Sequence, residues 1–192
     1  MAIPKKVQTY LNKNNYQYES VEHKTVFTAY DLAQTLNTPL ETIAKTLLIK
    51  ADRDYYLIVI SAQSRLDLGR LKKSLKVKKV SIAKEADMVN KLKVKAGALT
   101  AFGKMHGLPV VLDLAFTKAK KVLFGSGSFE ESIKMSISTF QKIEQPIMAK
   151  IGQKANLKLQ ARPMKKAKPK KKAKSESTKK VKSKKKITKK KR

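Results

Sequence analysis

The stretch Ala44-Lys45-Thr46-Leu47-Leu48-Ile49-Lys50-Ala51-Asp52-Arg53-Asp54-Tyr55-Tyr56-Leu57-Ile58-Val59-Ile60 decides the fold. Two β-type runs, Thr46–Ile49 and Tyr55–Ile60, flank a polar turn over Ala51–Asp54. Their near-continuous apolar character predicts a hairpin of central, largely buried strands.

Working outward, Ile3, Val7 and Leu11 recur every four residues behind Pro4, which predicts a first helix. Tyr16–Val21 reads as a short strand. Thr28-Ala29-Tyr30-Asp31 has the form of a capping box and opens a helix through Leu36. Thr38-Pro39-Leu40-Glu41 caps a short helix before Ile43. On the far side, Asp67 caps a helix through Leu75, and Ile82–Lys91 predicts another. Val110–Leu112, Val122–Phe124 and Ile133–Ile137 read as strands. Ser138-Thr139-Phe140-Gln141 caps a last helix ending near Pro146. Helices and strands mix without regular βαβ alternation. The expected fold class is therefore α/β of the α+β kind: one mixed domain with a curved, barrel-like, mostly antiparallel sheet.

Charge divides the chain. Its 192 residues carry 45 Lys+Arg against 14 Asp+Glu, a net of +31. Residues 151–192 hold 20 of those bases and one acid, so the folded domain is expected over 1–150 and a disordered Lys-rich tail over 151–192. Lysine neutralises phosphate without reading bases, so the tail suits salt-sensitive attachment to a nucleic-acid backbone. A solubilising tail and a role at an acidic surface are the alternatives. With no cysteine, disulfides, thiol catalysis and Cys-ligated zinc are excluded. The two histidines, His23 and His106, form no local ligand motif, and no metal or cofactor is expected. No apolar run reaches bilayer length, and the first thirty residues lack a signal-type apolar core, so a cytoplasmic protein without membrane attachment is expected.

Several segments carry candidate chemistry. Lys45 stands where a helix meets the first hairpin strand, and apolar neighbours there would desolvate its ammonium. A surface lysine is the commoner outcome in so basic a chain. Gly97–Gly103 is a small-residue loop whose backbone could approach a ligand, or an ordinary turn; it lacks a phosphate-loop ending. Gly125-Ser126-Gly127-Ser128 is more credible as a tight turn presenting backbone donors than as a nucleophile site served by His106. His23 and His106 are each more often structural. Asp113 is either a site acid or a turn former. Phe102, Phe116 and Phe129 are too scattered for a base-stacking platform.

Together these segments resemble one family. His23, then Thr28-Ala29 and Leu32-Ala33, then Ala44–Ile49, Arg65–Leu68, Gly97–Gly103, Leu108–Asp113, Gly125–Ser128 and Ile133–Ser136 follow the order of the YbaK/prolyl-tRNA-synthetase-associated domain. The resemblance spans roughly residues 3–148. It implies a mixed α/β fold and hydrolysis of the ester of mischarged aminoacyl-tRNA, often tRNA for proline carrying a small amino acid. It implies Lys45 as the functional lysine. It also implies a substrate pocket at Thr28, Thr46, Gly97, Ala98, Phe102, Gly103, Gly127 and Ser128. Many relatives carry proline just before the pocket loop's Phe/Leu-Gly; here the positions are Thr100 and Ala101.

On that basis Lys45 would contact the terminal adenosine or the aminoacyl carbonyl. Backbone N–H groups of Gly97–Ala98 and Gly127–Ser128 would orient the ester, and no metal or protein nucleophile would be needed. The expected partners are aminoacyl-tRNA, a phosphate backbone held by 151–192, and prolyl-tRNA synthetase, with a monomer as the default state. The alternative is a non-catalytic nucleic-acid-binding protein on the same scaffold.

Overall fold

The computed structural model describes residues 3–13, 15–95 and 97–155. Five helices and ten strands are seen among them: α1 Lys5–Asn12, β1 Glu19–Glu22, α2 Ala29–Thr35, β2 Ala44–Ala51, β3 Asp54–Ser61, β4 Ser64–Leu66, α3 Leu68–Leu75, β5 Val80–Ile82, α4 Glu85–Leu92, β6 Val110–Asp113, β7 Lys121–Gly125, β8 Glu131–Ser136, α5 Ile137–Glu144, β9 Ile147–Ala149 and β10 Gly152–Lys154.

The hairpin expected over 44–61 is the centre of the molecule. β2 and β3 pair antiparallel from Ala44↔Ser61 to Ala51↔Asp54. Leu57, Ile58, Val59 and Ile60 are all fully buried, because the sheet is covered on both faces. Ala44, Leu48, Leu57 and Val59 join the main core with Phe102, Phe124 and Phe140; Ile49, Ile58 and Ile60 join a second core under α3. The sheet order is β5-β2-β3-β6-β9, with β3–β6 and β6–β9 parallel. A second sheet runs β1-β8-β7, and β4 pairs with β10. A parallel bridge between Ile43 and Leu123 links β7 to the start of β2. Among the described residues no closed barrel forms, so the barrel-like expectation is corrected to separate mixed and antiparallel sheets. The parallel partners in the pairs β3–β6 and β6–β9 are far apart in sequence, and local pattern does not reveal them.

Local chemistry sets the ends of the helices. Thr28 Oγ1 accepts the Asp31 backbone N–H and donates to the Asp31 carboxylate. Asp67 accepts the Arg70 N–H at the start of α3. Several boundaries differ from expectation; β1 begins at Glu19 rather than Tyr16, for example. Ile82 ends a strand, Val80–Ile82, rather than starting the expected helix, which begins at Glu85, since Val80–Ile82 complete the edge of β2 at Ile49–Ala51. α5 is capped by Ser136, whose hydroxyl accepts the Thr139 N–H, rather than by Ser138.

The folded part also passes the composition break at 150. Ile151 is fully buried, and Gly152–Lys154 pair with β4. The charge run masked this strand, because its one apolar anchor precedes basic sequence. The rest of the expected tail, 156–192, lies outside the described residues.

Candidate functional site

Where the hairpin start, the α2 cap and the glycine loops converge, they enclose a cavity of about 270 Å³. Its floor is the beginning of β2: Ala44, Lys45, Thr46 and Leu47. Its walls come from Thr28 and Leu32 around α2, Gly97 and Leu99, Gly125 and Ser128, and from His23 and Ser132 on the β1–β8 side.

Lys45 is half-buried at this floor. Its Nζ donates to the Ser64 carbonyl at 2.8 Å, which leaves two further N–H groups. Burial first, and the neighbouring Arg65 second, push its pKa below the ordinary value. The next residue carries an unsatisfied group: Thr46 Oγ1 is shielded from solvent and has no hydrogen-bond partner. Such a hydroxyl costs about 1–3 kcal/mol unless something pairs with it.

The opposite wall holds a pair that sequence reasoning missed. His23 Nδ1 lies 2.9 Å from the Lys24 carbonyl, and Nε2 lies 2.9 Å from Ser132 Oγ. A carbonyl only accepts, so Nδ1 carries the proton. In the neutral ring Nε2 is then the acceptor, and the Ser132 hydroxyl donates to it. The two residues stand 109 positions apart in sequence. Strand pairing between β1 and β8, which sets Val21 opposite Ser132, brings them together. Only the lone His23 was visible beforehand.

The rim is aromatic. Phe27 is 64% exposed, and its ring lies 5.0 Å from that of Phe129. Gly97 sits against this pair at φ +84°, and a Cβ there would meet the Phe27 carbonyl at 2.9 Å. This is the close approach that requires glycine. The scatter of phenylalanines in sequence thus hides a two-ring platform built from Phe27 and Phe129, while Phe102 and Phe116 are core.

The expected site residues therefore separate into two groups. Lys45, Thr28, Thr46, Gly97 and Ser128 line one cavity. Ala98, Phe102, Gly103 and Gly127 are not among its lining residues. Phe102 is fully buried among Tyr10, Phe124 and Phe140, and Gly103 is packed against Leu108 and Val110. Two expected backbone donors are already engaged: Ala98 N–H with the Lys95 carbonyl, and Ser128 N–H with Ser126 Oγ. The Thr28 hydroxyl is likewise occupied in its cap.

His106 lies in the turn Lys104–His106 and is not part of the cavity wall; burial, then Lys6, lowers its pKa. Asp113 is buried and accepts the Ala115 and Ile151 N–H groups, which makes it the turn former of its two readings. Among the described residues no three His, Asp or Glu side chains are gathered as a metal site, and no helix is long and apolar enough to cross a membrane.

Comparison with known proteins shows what the chain resembles. The model of the aminoacyl-tRNA editing domain matches residues 23–143. The prolyl-tRNA editing protein ProX of Acetoanaerobium sticklandii is 23% identical over 151 residues, covering 70% of this chain and 92% of that protein. The proline–tRNA ligase of Staphylococcus haemolyticus is 30% identical over 90 residues, which is 47% of this chain and 15% of the ligase. The crystal structure of a candidate trans-editing enzyme for prolyl tRNA synthetase shares the fold. Its TM-score is 0.70 at 20% identity, covering 78% of this chain and 96% of that one.

Proposed function

We propose, since this chain belongs to the aminoacyl-tRNA editing domain family, that it hydrolyses the ester of mischarged aminoacyl-tRNA, with tRNA for proline carrying a small non-cognate amino acid as substrate. The observation that carries this reading is the cavity of about 270 Å³ with Lys45 at its floor and His23–Ser132 on its wall. That volume is below the range usual for whole drug-sized ligands, and it suits an aminoacyl group rather than a nucleotide.

In this reading the terminal adenine stays outside and stacks on Phe27, while the aminoacyl ester enters. The two N–H groups that Lys45 retains beyond its Ser64 bond face the developing oxyanion or the ribose oxygens. With the Ser132 hydroxyl turned away to free its lone pair, His23 Nε2 takes a proton from the attacking water, the Lys24 carbonyl holding the ring and tautomer. The water oxygen bonds to the ester carbon, the carbon–ribose oxygen bond breaks, and the proton passes from His23 to the leaving hydroxyl. The products are free amino acid and tRNA. Discrimination among amino-acid side chains by such a pocket is worth about 10–200-fold per methylene.

The basic segment 156–192 tethers the RNA backbone by charge and raises its local concentration. The test is single-turnover deacylation of alanyl-, seryl- and prolyl-tRNA for proline. Loss of a small non-cognate ester supports the reading. Unchanged esters together with tight tRNA binding transfer the function to the non-catalytic alternative.

A further inference from the structure

A second concavity lies outside this site. A cleft of about 520 Å³ between α3 and β5 is lined by Lys72, Lys78, Lys79 and Ser81, with Leu68 and Gly69 at its α3 side. The charge around it is concentrated. Residues 65–95 hold eleven Lys or Arg and three Asp or Glu, a net of +8, whereas the remainder of 1–150 nets +4. Among the described residues no salt bridge involves Lys72, Lys78 or Lys79; Arg70 is the base paired in this segment, with Asp67. Asp52 offsets part of this charge beside Lys72 and Lys78; the excess of like charge repels, and an external polyanion relieves that repulsion.

The lysines are also held in place. Asp52, at the tip of the β2–β3 hairpin, accepts the backbone N–H of Lys78 at 3.1 Å and of Lys79 at 2.8 Å. Its own N–H donates to the Lys79 carbonyl. The carboxylate beside the cleft is thus engaged with the backbone of the turn that presents the lysines. Those hydrogen bonds, with Lys78 and Lys72 nearby, hold its pKa below the ordinary value. A fixed turn loses less entropy on binding than free side chains on a mobile loop.

The cleft is in line with the catalytic cavity. Ser81 pairs with Lys50, three residues along β2 from Leu47 and five from Lys45, both of which line the cavity. At about 3.3 Å per residue this is on the order of 10–17 Å along the strand. The same segment continues into α4, whose Met88 touches the cavity.

We propose that the α3–β5 cleft binds RNA phosphates: the sugar-phosphate backbone of the acceptor arm whose aminoacylated end occupies the cavity. This rests on the editing reading for the identity of the RNA. The site gives register, since a phosphate seated between Lys72 and Lys78–Lys79 fixes how far the 3′ end reaches. The 156–192 segment, by contrast, supplies charge alone.

The test uses the full chain carrying Lys72→Gln, Lys78→Gln and Lys79→Gln, against a control with Lys118→Gln, Lys120→Gln and Lys142→Gln. Binding of uncharged tRNA is measured against salt, and deacylation is measured on both aminoacyl-tRNA and a 3′-aminoacyl adenosine that has no backbone. Loss of three phosphate contacts lowers the slope of log K against log salt by about 2–3. The cleft variant is expected to show this drop and a KM for aminoacyl-tRNA raised about 10-fold, an amount within the salt-linked range for three contacts. Its kcat and its rate on the adenosine ester should match wild type. Ser81→Glu, which puts a carboxylate in the cleft, is expected to act in the same direction.

Equal salt slopes for the cleft and control variants overturn the proposal, even if wild-type hydrolysis is brisk. Competition by tripolyphosphate equal to that of RNA, phosphate for phosphate, also overturns it and makes the cleft a small-anion site. If no aminoacyl-tRNA is hydrolysed but the cleft variant alone loses slope, the docking site stands and the editing reading fails.

Discussion

Replacing Lys45 by methionine separates its chemical from its structural contribution. The substitution keeps the stem and removes the ammonium. On the stability side, the Ser64 carbonyl loses a charged donor at 2.8 Å, which costs about 1.5–3 kcal/mol. Against this, a half-buried cation that burial already disfavours no longer has to be desolvated. The two effects oppose each other, so the net change should stay within about 1 kcal/mol, or about 2–4 °C in Tm for a chain of this size. On the chemical side, one donor aimed at a developing oxyanion is worth about 2.7–4 kcal/mol, or about 100–1000-fold in kcat. Single-turnover deacylation with a parallel thermal melt reads both. A folded Lys45→Met protein that turns over within about threefold of wild type would refute the assignment. A collapse in Tm would instead make the lysine a structural tie between β2 and β4.

Other perturbations test separate parts of the site. His23→Ala should lower kcat about 100-fold or more, whereas Ser132→Ala, which leaves Nε2 free, should keep kcat; turnover near wild type in His23→Ala rejects the base. Phe27→Ala should raise KM for aminoacyl-tRNA by about 5–150-fold, the worth of one stacked base, with kcat preserved; an equal loss in kcat argues against stacking. Thr46→Val removes a buried unpaired hydroxyl and should raise stability by about 1–2 kcal/mol in urea denaturation; a loss would show that the hydroxyl is paired. Glu144 is buried, and its pKa is raised above 4.5 by desolvation, although Tyr10 and the Lys104 N–H donate to it. Protonation there favours the folded state, a contribution complete below about pH 4.5 and lost as pH climbs through the raised value. Glu144→Gln should therefore melt higher than wild type at pH 8 and lose that advantage toward pH 4. A difference independent of pH would contradict this.

How much was legible depended on how local the physics was. The 44–61 hairpin could be read because its strands carry the apolar runs Leu47–Ile49 and Tyr55–Ile60 and the turn between them is polar. The Thr28 and Asp67 caps could be read because a side chain binding the N–H three residues on is a contact within one turn. The parallel pairs β3–β6 and β6–β9 could not, because nothing near Leu57 encodes Val110 as its neighbour. For the same reason the family resemblance brought Lys45, Thr46, Gly97 and Ser128 to one place but did not reveal the His23–Ser132 bond or the Phe27–Phe129 platform. Each depends on β1 and the segment after it lying along β8 and the loop before it, as in the backbone bond from Val26 to Phe129. Phe102 lies in the core and Gly103 outside the cavity lining, a placement the sequence does not reveal because a small-residue loop next to an aromatic looks the same whether it faces a ligand or the core. The composition break at 150 hid β10 because exposed Gln153 and Lys154 look like tail, although Ile151 anchors the strand.

The central claim is ester hydrolysis in the Lys45 cavity, and the most direct measurement is a deacylation panel with the full chain. Transfer RNA for proline would be charged in turn with alanine, serine, cysteine, 2-aminobutyrate and proline, and each ester followed against its spontaneous decay. The account predicts fast loss of at least one small non-cognate ester, sparing of the prolyl ester, and no acceleration by Lys45→Ala. Loss of every ester at the uncatalysed rate, with the protein folded and tRNA bound, would contradict it.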